Sequence, residues 1–461
     1  MSSILKTHLS FKSNAGATFD FRNWSYVEGF FLSLMIGWGE TYLLAFGYSQ
    51  GMSEVQMGLL ATMPLIAGAV LQLVTPRAIH HRFTHKEWII RAGLVQFVLF
   101  SLLALGSVFG QFQFLGLFFL ASLYWGGSQA TNSAWNYWMG NLISTEQSAE
   151  FFSKRSRFMQ LGILIGIVSG GLILEEARRL SAVEYAFAGV FFMAAFSRLA
   201  SVLVLRKHPY VEGWLSFRSQ PRFRLRDSLV DMLRGQKQRK FFAFLFLFNI
   251  AVYISGPFVT PFLLAQLHLT YDKYMWALAA LLTSKVMVMP LVNRSIEKFG
   301  VSRTFAFSAL ALSPMPAAWV WLDSYYQVLI LQAMSGAAWA GFEVSLMVIF
   351  FKNLRLEQKT QILTAYNLFN ATAIIIGGLI GAKLLKLNGP NIVGYGVVFM
   401  SAAGLRLLCL WPFIRHLHKM PRTAPLVLQS WGIQEMGVGS SVSNPGAVSV
   451  PEPSSPSGTE E

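Results

Sequence analysis

The sequence predicts an all-α polytopic membrane protein of about twelve transmembrane helices, arranged as two six-helix pseudo-repeats. Three observations carry that expectation. Uncharged apolar runs recur at about the 20-residue length that crosses a bilayer, and 54% of the 461 residues are hydrophobic while only 13% are charged. Basic residues gather in alternate connections between those runs, as they do in cytoplasmic loops. Short motifs also recur between the halves at one spacing. Gly170-Gly171-Leu172-Ile173 returns as Gly377-Gly378-Leu379-Ile380, 377 − 170 = 207 residues later, and residues 190–195 meet residues 397–402 at the same offset.

Taken in order, the chain starts with a polar segment, 1–23, that lacks a signal-peptide apolar core and cleavage site. The first span is therefore expected to be an uncleaved anchor with a cytoplasmic N-terminus. Spans at 24–48, 55–76, 88–110, 113–140, 158–177 and 183–205 make an N-terminal bundle, 24–205. A basic cytoplasmic linker follows at 206–240. Spans at 241–266, 272–292, 302–322, 325–351, 361–385 and 392–414 make a C-terminal bundle, 241–414. The tail, 415–461, is rich in Ser, Pro and Gly and is expected to be a disordered cytoplasmic extension. Loop charge supports this topology: Lys6, Lys12 and Arg22, then Arg77, Arg82 and Lys86, then Lys154, Arg155 and Arg157, then Arg294, Lys298 and Arg303 all fall on one side. Both termini are thereby placed in the cytoplasm, with the protein multi-pass in the cytoplasmic (inner) membrane.

The net charge of +15 belongs to these loops, so it reads as topology and not as a nucleic-acid surface. A single cysteine, Cys409, excludes an internal disulfide and a cysteine-built metal site. There is no phosphate-binding Gly-rich loop, no H-E-x-x-H and no G-x-S-x-G, so neither an enzyme nor a metal or other cofactor is expected.

Polar residues inside the spans point to a solute path. Trp125, Gln129, Asn132 and Asn136 fall at i, i+4, i+7 and i+11, one stripe of the fourth span. Unpaired amides in hydrocarbon cost several kcal/mol, so the stripe should face protein or a watery cavity. The tenth span repeats the plan with Gln332, Ser335, Gly336, Trp339 and Glu343, and Asn249, Asn367 and Asn370 add to it. Glu40, Lys285 and Glu343 lie near mid-depth, where each charge must face the interior. Lys285 is the counter-charge for Glu343 in its own half. Glu40, flanked by Gly37 and Gly39, is read as the proton-coupling acid. Arg198 and Arg406 are expected to snorkel to the cytoplasmic interface.

Two motifs resemble a known family. The hairpin after the eighth span, Glu297-Lys298-Phe299-Gly300-Val301-Ser302-Arg303, resembles the gate signature of the major facilitator superfamily of secondary transporters. The hairpin after the second span keeps Arg82 and Lys86 but has His81 and Thr84 where that signature has an acid and a glycine. Gly162-x-x-x-Gly166-Ile167-Val168-Ser169-Gly170-Gly171 looks like the antiporter motif of the same family, with Ile167 in place of its proline; close helix packing is the plainer reading. The hairpin after the fourth span is similar to those of sparsely characterised bacterial branches. The resemblance covers roughly the spans identified by length. It implies two six-helix halves and a gate network around Arg82, Glu297, Lys298 and Arg303. It also implies a monomeric carrier of a small organic solute, held in membrane lipid and working by alternating access. Proton-coupled efflux is preferred. Ion-coupled uptake of a sugar or other nutrient is the alternative, and a non-transporting receptor or scaffold is the third reading.

Overall fold

The computed structural model describes residues 21–68, 70–71, 83–109, 112–142, 145–208, 236–353 and 356–417. Among the described residues there are helices and connections but no strand. Among the described residues the helices group into twelve successive passes. α1 runs Phe21–Met35, continues through a π turn at Ile36–Glu40, and resumes at Leu43–Ser49. α2 starts with Glu54–Thr62, and α3 to α6 are His85–Phe109, Phe114–Leu142, Thr145–Arg179 and Val183–Leu205. α7 is Gln236–Ser255, a 3₁₀ turn at Gly256–Phe258, Val259–Pro261 and a π turn at Phe262–Gln266. α8 is Tyr271–Phe299; α9 comprises Val301–Leu312, Met315–Ala318 and Trp319–Trp321; α10 to α12 are Tyr325–Asn353, Leu356–Asn388 and Ile392–Leu417. Nine helices among the described residues are long and apolar enough to cross a membrane.

Local sequence explains where passes begin and break. Ser53 with Gln56, Thr84 with Glu87, and Ser324 with Gln327 exchange backbone and side-chain hydrogen bonds as capping boxes at the starts of α2, α3 and α10. Gly300, at φ +87°, turns the chain between α8 and α9, a conformation that disfavours any residue bearing a Cβ. Gly256-Pro257 and Pro314-x-Pro316 end the α-segments of α7 and α9 inside the bundle, because proline lacks the amide the preceding turn needs.

The helices pair alike in the two halves. α1 packs on α5 and α6, and α3 on α4 and α6; α7 packs on α11 and α12, and α9 on α10 and α12. The sixth helix of each half reveals the repeat in its burial. Phe187, Val190, Phe191, Ala194, Ala195 and Arg198 match Tyr395, Val398, Phe399, Ala402, Ala403 and Arg406, all buried. That register is 406 − 198 = 208, one residue away from the 207 read from apolar matches. The 207 spacing does hold between α5 and α11, where the paired glycines sit.

α5 begins at Thr145 and not near 158. Arg155, expected in a cytoplasmic loop, is therefore a helical residue and only 3% exposed. Its buried partners, described below, are what carry the helix past the charged stretch.

Candidate functional site

The two halves meet along a seam at the end of the bundle that carries connections 50–53, 180–182, 267–270 and 389–391. Each repeated Gly-Gly pair has a division of labour there. The first glycine lets its helix lie against its own half: a Cβ on Gly170 would sit 2.7 Å from the Tyr42 ring, and one on Gly377 2.9 Å from Tyr253 Cβ. The second glycine meets the other half. A Cβ on Gly171 would lie 2.7 Å from Met275 Cγ of α8, and one on Gly378 2.7 Å from Thr62 Oγ1 of α2. Close approach is why no side chain fits. Phe258 of α7 presses on Gly58 of α2, Phe187 packs edge-on to Tyr271 at 5.8 Å, and Gln266 Nε2 donates to Glu54 Oε1 at 3.2 Å.

Within the C-terminal half lies a polar centre. Lys285 Nζ of α8 is 2.8 Å from Glu343 Oε2 of α10, with side chains 6% and 2% exposed. α8 and α10 approach closely enough there for Gly336 to press on the Leu281 carbonyl. Asn249 Nδ2 of α7 donates to Asn370 Oδ1 of α11 at 2.8 Å. Gln332 and Trp339 are both buried on α10, and the Trp339 ring meets Phe342 edge-on at 5.7 Å. On the N-terminal side, Trp125 is buried and Gln129 packs against Gly68 of α2. Trp38 Nε1 donates to Ser169 Oγ at 2.7 Å, joining α1 to α5 beside the close contact of Gly37 with Gly166. That contact gives the G-x-x-x-G stretch a packing role. Arg82 lies outside the described residues, as do the side chains of Asn132, Asn136 and Asn367.

Glu40 is 6% exposed in the π turn of α1 and accepts a 2.5 Å hydrogen bond from the Tyr124 hydroxyl of α4. Leu43, Leu99, Phe100, Leu103, Leu120 and Ala121 line a small cavity beside it, all from the N-terminal half. The hairpin residues behave differently. Glu297 and Lys298 are exposed, Lys298 lies over the Phe299 ring at 5.3 Å, and Glu297 forms no ion pair among the described residues.

A network of buried charge escapes a reading of the sequence alone. Glu28 of α1 pairs with Arg155 of α5 at 2.9 Å, and Arg155 also donates to the Ser25 carbonyl and lies 4.2 Å over the Trp135 ring. Arg198 of α6 donates to Gln96 Oε1 of α3 at 2.7 Å and to Ser201 Oγ at 2.8 Å; Ser201 in turn donates to Glu28. In the C-terminal half, Arg406 donates to the carbonyls of Leu312 and Val252 and to Ser255 Oγ. Neither arginine snorkels: they are 2% and 5% exposed. Enough fixed acceptors within the bundle offset the desolvation of each guanidinium. The clue available in sequence was the pair VFFMAAFSR and VFMSAAGLR, which aligns the two arginines at the 208 register.

Known proteins share this architecture at low sequence identity. A search of curated protein sequences found no match. Among solved structures, the nucleoside transporter NupG superposes with a TM-score of 0.68 at 12% identity, covering 87% of this chain and 100% of that one. A bacterial homologue of the iron transporter ferroportin in its inward-facing state gives 0.67 at 13% identity, covering 87% and 99%. The xylose transporter XylE from E. coli, in a partially occluded inward-open conformation, gives 0.61 at 11% identity, covering 86% and 98%. The model of the Major Facilitator Superfamily matches residues 241–434. The chain is thus a multi-pass membrane protein with the fold of these transporters, and its C-terminal part matches the major facilitator superfamily.

Proposed function

We propose that this protein is a secondary transporter, and not an enzyme, that carries a small organic solute across the cytoplasmic membrane by alternating access. The observation that carries the reading is the seam itself: two pseudo-symmetric halves meet closely through glycines and aromatic rings, with the Gln266–Glu54 hydrogen bond at its outer end. Such a contact opens at low cost, as rocking between two access states requires. The halves correspond to 24–205 and 241–414, with both termini cytoplasmic and one chain as the working unit. The named cargoes of the structural neighbours, a nucleoside, a sugar and iron, share no chemistry, so they support carriage and not a substrate class. The solute path runs between Trp125, Gln129, Asn132 and Asn136 on one side and Asn249, Gln332, Trp339 and Asn367 on the other. The decisive experiment is solute flux driven by an imposed gradient in liposomes of purified protein; ligand binding without flux favours the receptor reading.

Coupling is assigned to Glu40, with efflux by proton exchange as the direction. Its carboxylate accepts from the Tyr124 hydroxyl at the edge of a small apolar cavity. Gain or loss of a proton there changes a charge-assisted bond between α1 and α4, next to a π turn, a local geometry common at functional positions. Glu40→Gln retains the shape but cannot cycle a proton. It is expected to abolish gradient-driven transport while leaving solute binding and counterflow. Accumulation or expulsion against a gradient by that variant would move the coupling role to another acid.

The topology has its own test. Cysteines placed at Lys154 and Asp323, in a Cys409→Ser background, should react with an impermeant reagent from opposite sides of the membrane. Reaction from the same side would overturn the assignment of loops.

A further inference from the structure

We infer that Arg406 is a positioning residue for the transport cycle: it holds the broken seventh pass so that its outer segment, 256–266, closes on α2. The inference rests on the alternating-access reading, and it concerns a residue that touches neither the polar centre nor the seam.

Helix ends create the need that Arg406 meets. The last four carbonyls of an α-segment have no intrahelical donor. Val252 and Ser255 lie in the last turn of Gln236–Ser255, and Leu312 is the last residue of Val301–Leu312. Both ends are buried in the membrane, where water cannot supply the missing donors. One guanidinium serves both. Arg406 Nη1 donates to the Leu312 carbonyl at 2.9 Å, and Nη2 donates to the Val252 carbonyl at 3.3 Å and to Ser255 Oγ at 3.0 Å. A cation at two helix C-termini also meets the negative ends of two helix dipoles. Among the described residues no carboxylate pairs with Arg406, so its charge is held by these ends.

What lies beyond the break is the moving part. Phe258 sits three residues past Ser255 and presses on both Gly58 of α2 and Gly381 of α11. Gln266, at the far end, bridges to Glu54 of α2 and to the Pro390 carbonyl. Phe262 packs on Tyr395 and Phe399, which share the buried face of α12 that carries Arg406. α12 therefore grips α7 on both sides of its break. The grip at the break is polar and directional, whereas the one beyond it is aromatic and can slide.

The internal repeat sharpens the assignment. Arg198, the equivalent of Arg406, donates to side chains of α3 and α6 and not to backbone at a helix end. Its pass, α6, holds the N-terminal half together. Only the C-terminal copy is wired to a break.

The test needs no solute. In a Cys409→Ser background, Thr62→Cys places a thiol in the seam opposite Gly378, and its alkylation rate by a charged maleimide in purified full-length protein reports how often the seam parts. Arg406→Lys keeps the charge but not the planar fork that reaches two helix ends. It is expected to raise the alkylation rate about tenfold, the factor that corresponds to a 1.4 kcal/mol shift between states, with little change in melting temperature. A lowered melting temperature with an unchanged alkylation rate would assign Arg406 to simple stability and overturn the inference. Should Arg406→Lys fail to yield folded protein, Ser255→Ala decides: it removes the hydroxyl that accepts from Arg406 and donates to the Val252 carbonyl, and a reaction about two- to threefold faster supports the inference while an unchanged rate overturns it. Failure of the alternating-access reading would show separately, as absence of gradient-driven flux with the Arg406 effect intact.

Discussion

Lys285→Met is expected to lower stability by about 3–5 kcal/mol, because it removes the ammonium paired with the Glu343 carboxylate away from water. The two side chains are 6% and 2% exposed and only 2.8 Å apart, so solvent screens little of their interaction. Glu343→Leu alone should cost a similar amount by removing the carboxylate paired with the ammonium. The informative variant is the double one. Lys285→Met with Glu343→Leu removes both charges and keeps the volume, and replacement of a buried ion pair by apolar groups is often neutral or stabilising. Recovery of most of the lost melting temperature in the double variant, alongside loss of transport, would mean that the pair is retained for solute handling. A double variant as unstable as either single one would mean that other polar groups depend on the pair. The helix crossing itself should tolerate the change, since Gly336 and Leu281 set its distance.

The second large effect is expected at the paired glycines. Gly171→Val and Gly378→Val each push a side chain across the seam, against Met275 and Thr62. Overpacking costs roughly 1–3 kcal/mol. Here the cost falls on one conformation only, so it should shift the balance toward the parted seam by about 5- to 150-fold. Gly170→Val and Gly377→Val serve as controls, because their clashes are with Tyr42 and with α7 inside their own halves. These should lower the melting temperature without changing the conformational balance. Spin labels at exposed Ser49 and Lys386, one on each half, read the difference as a longer distance for the first pair of variants only. Equal distances across all four would remove the distinction between the two glycines of each motif.

The twelve passes were legible because membrane length and apolar composition leave few alternatives. Lys285 and Glu343 were legible as a pair for a similar reason: two opposite charges at equal depth in one half must find each other. Helix starts were also written locally, in Ser53-x-x-Gln56, Thr84-x-x-Glu87 and Ser324-x-x-Gln327. The repeat was visible but slipped by one residue in the sixth helix of each half. Apolar letters are interchangeable there, and only burial identifies which of them face inward.

Tertiary structure alone decided the fate of the arginines. Arg155, Arg198 and Arg406 have the spacing of interfacial anchors in sequence, yet each is buried. A carboxylate from α1 receives the first, and amide and hydroxyl groups from α3 and α6 receive the second. The third is held by carbonyls freed where α7 and α9 break. Those acceptors come from helices distant in the chain, and a one-dimensional reading of depth has no means of finding them. The glycine motifs show the same division. Sequence by itself determined that two Gly-Gly pairs recur at an offset of 207 residues. Which glycine faces its own half and which faces the other was set by the crossing of α5 with α8 and of α11 with α2, because close approach depends on where two backbones pass and not on what either sequence contains.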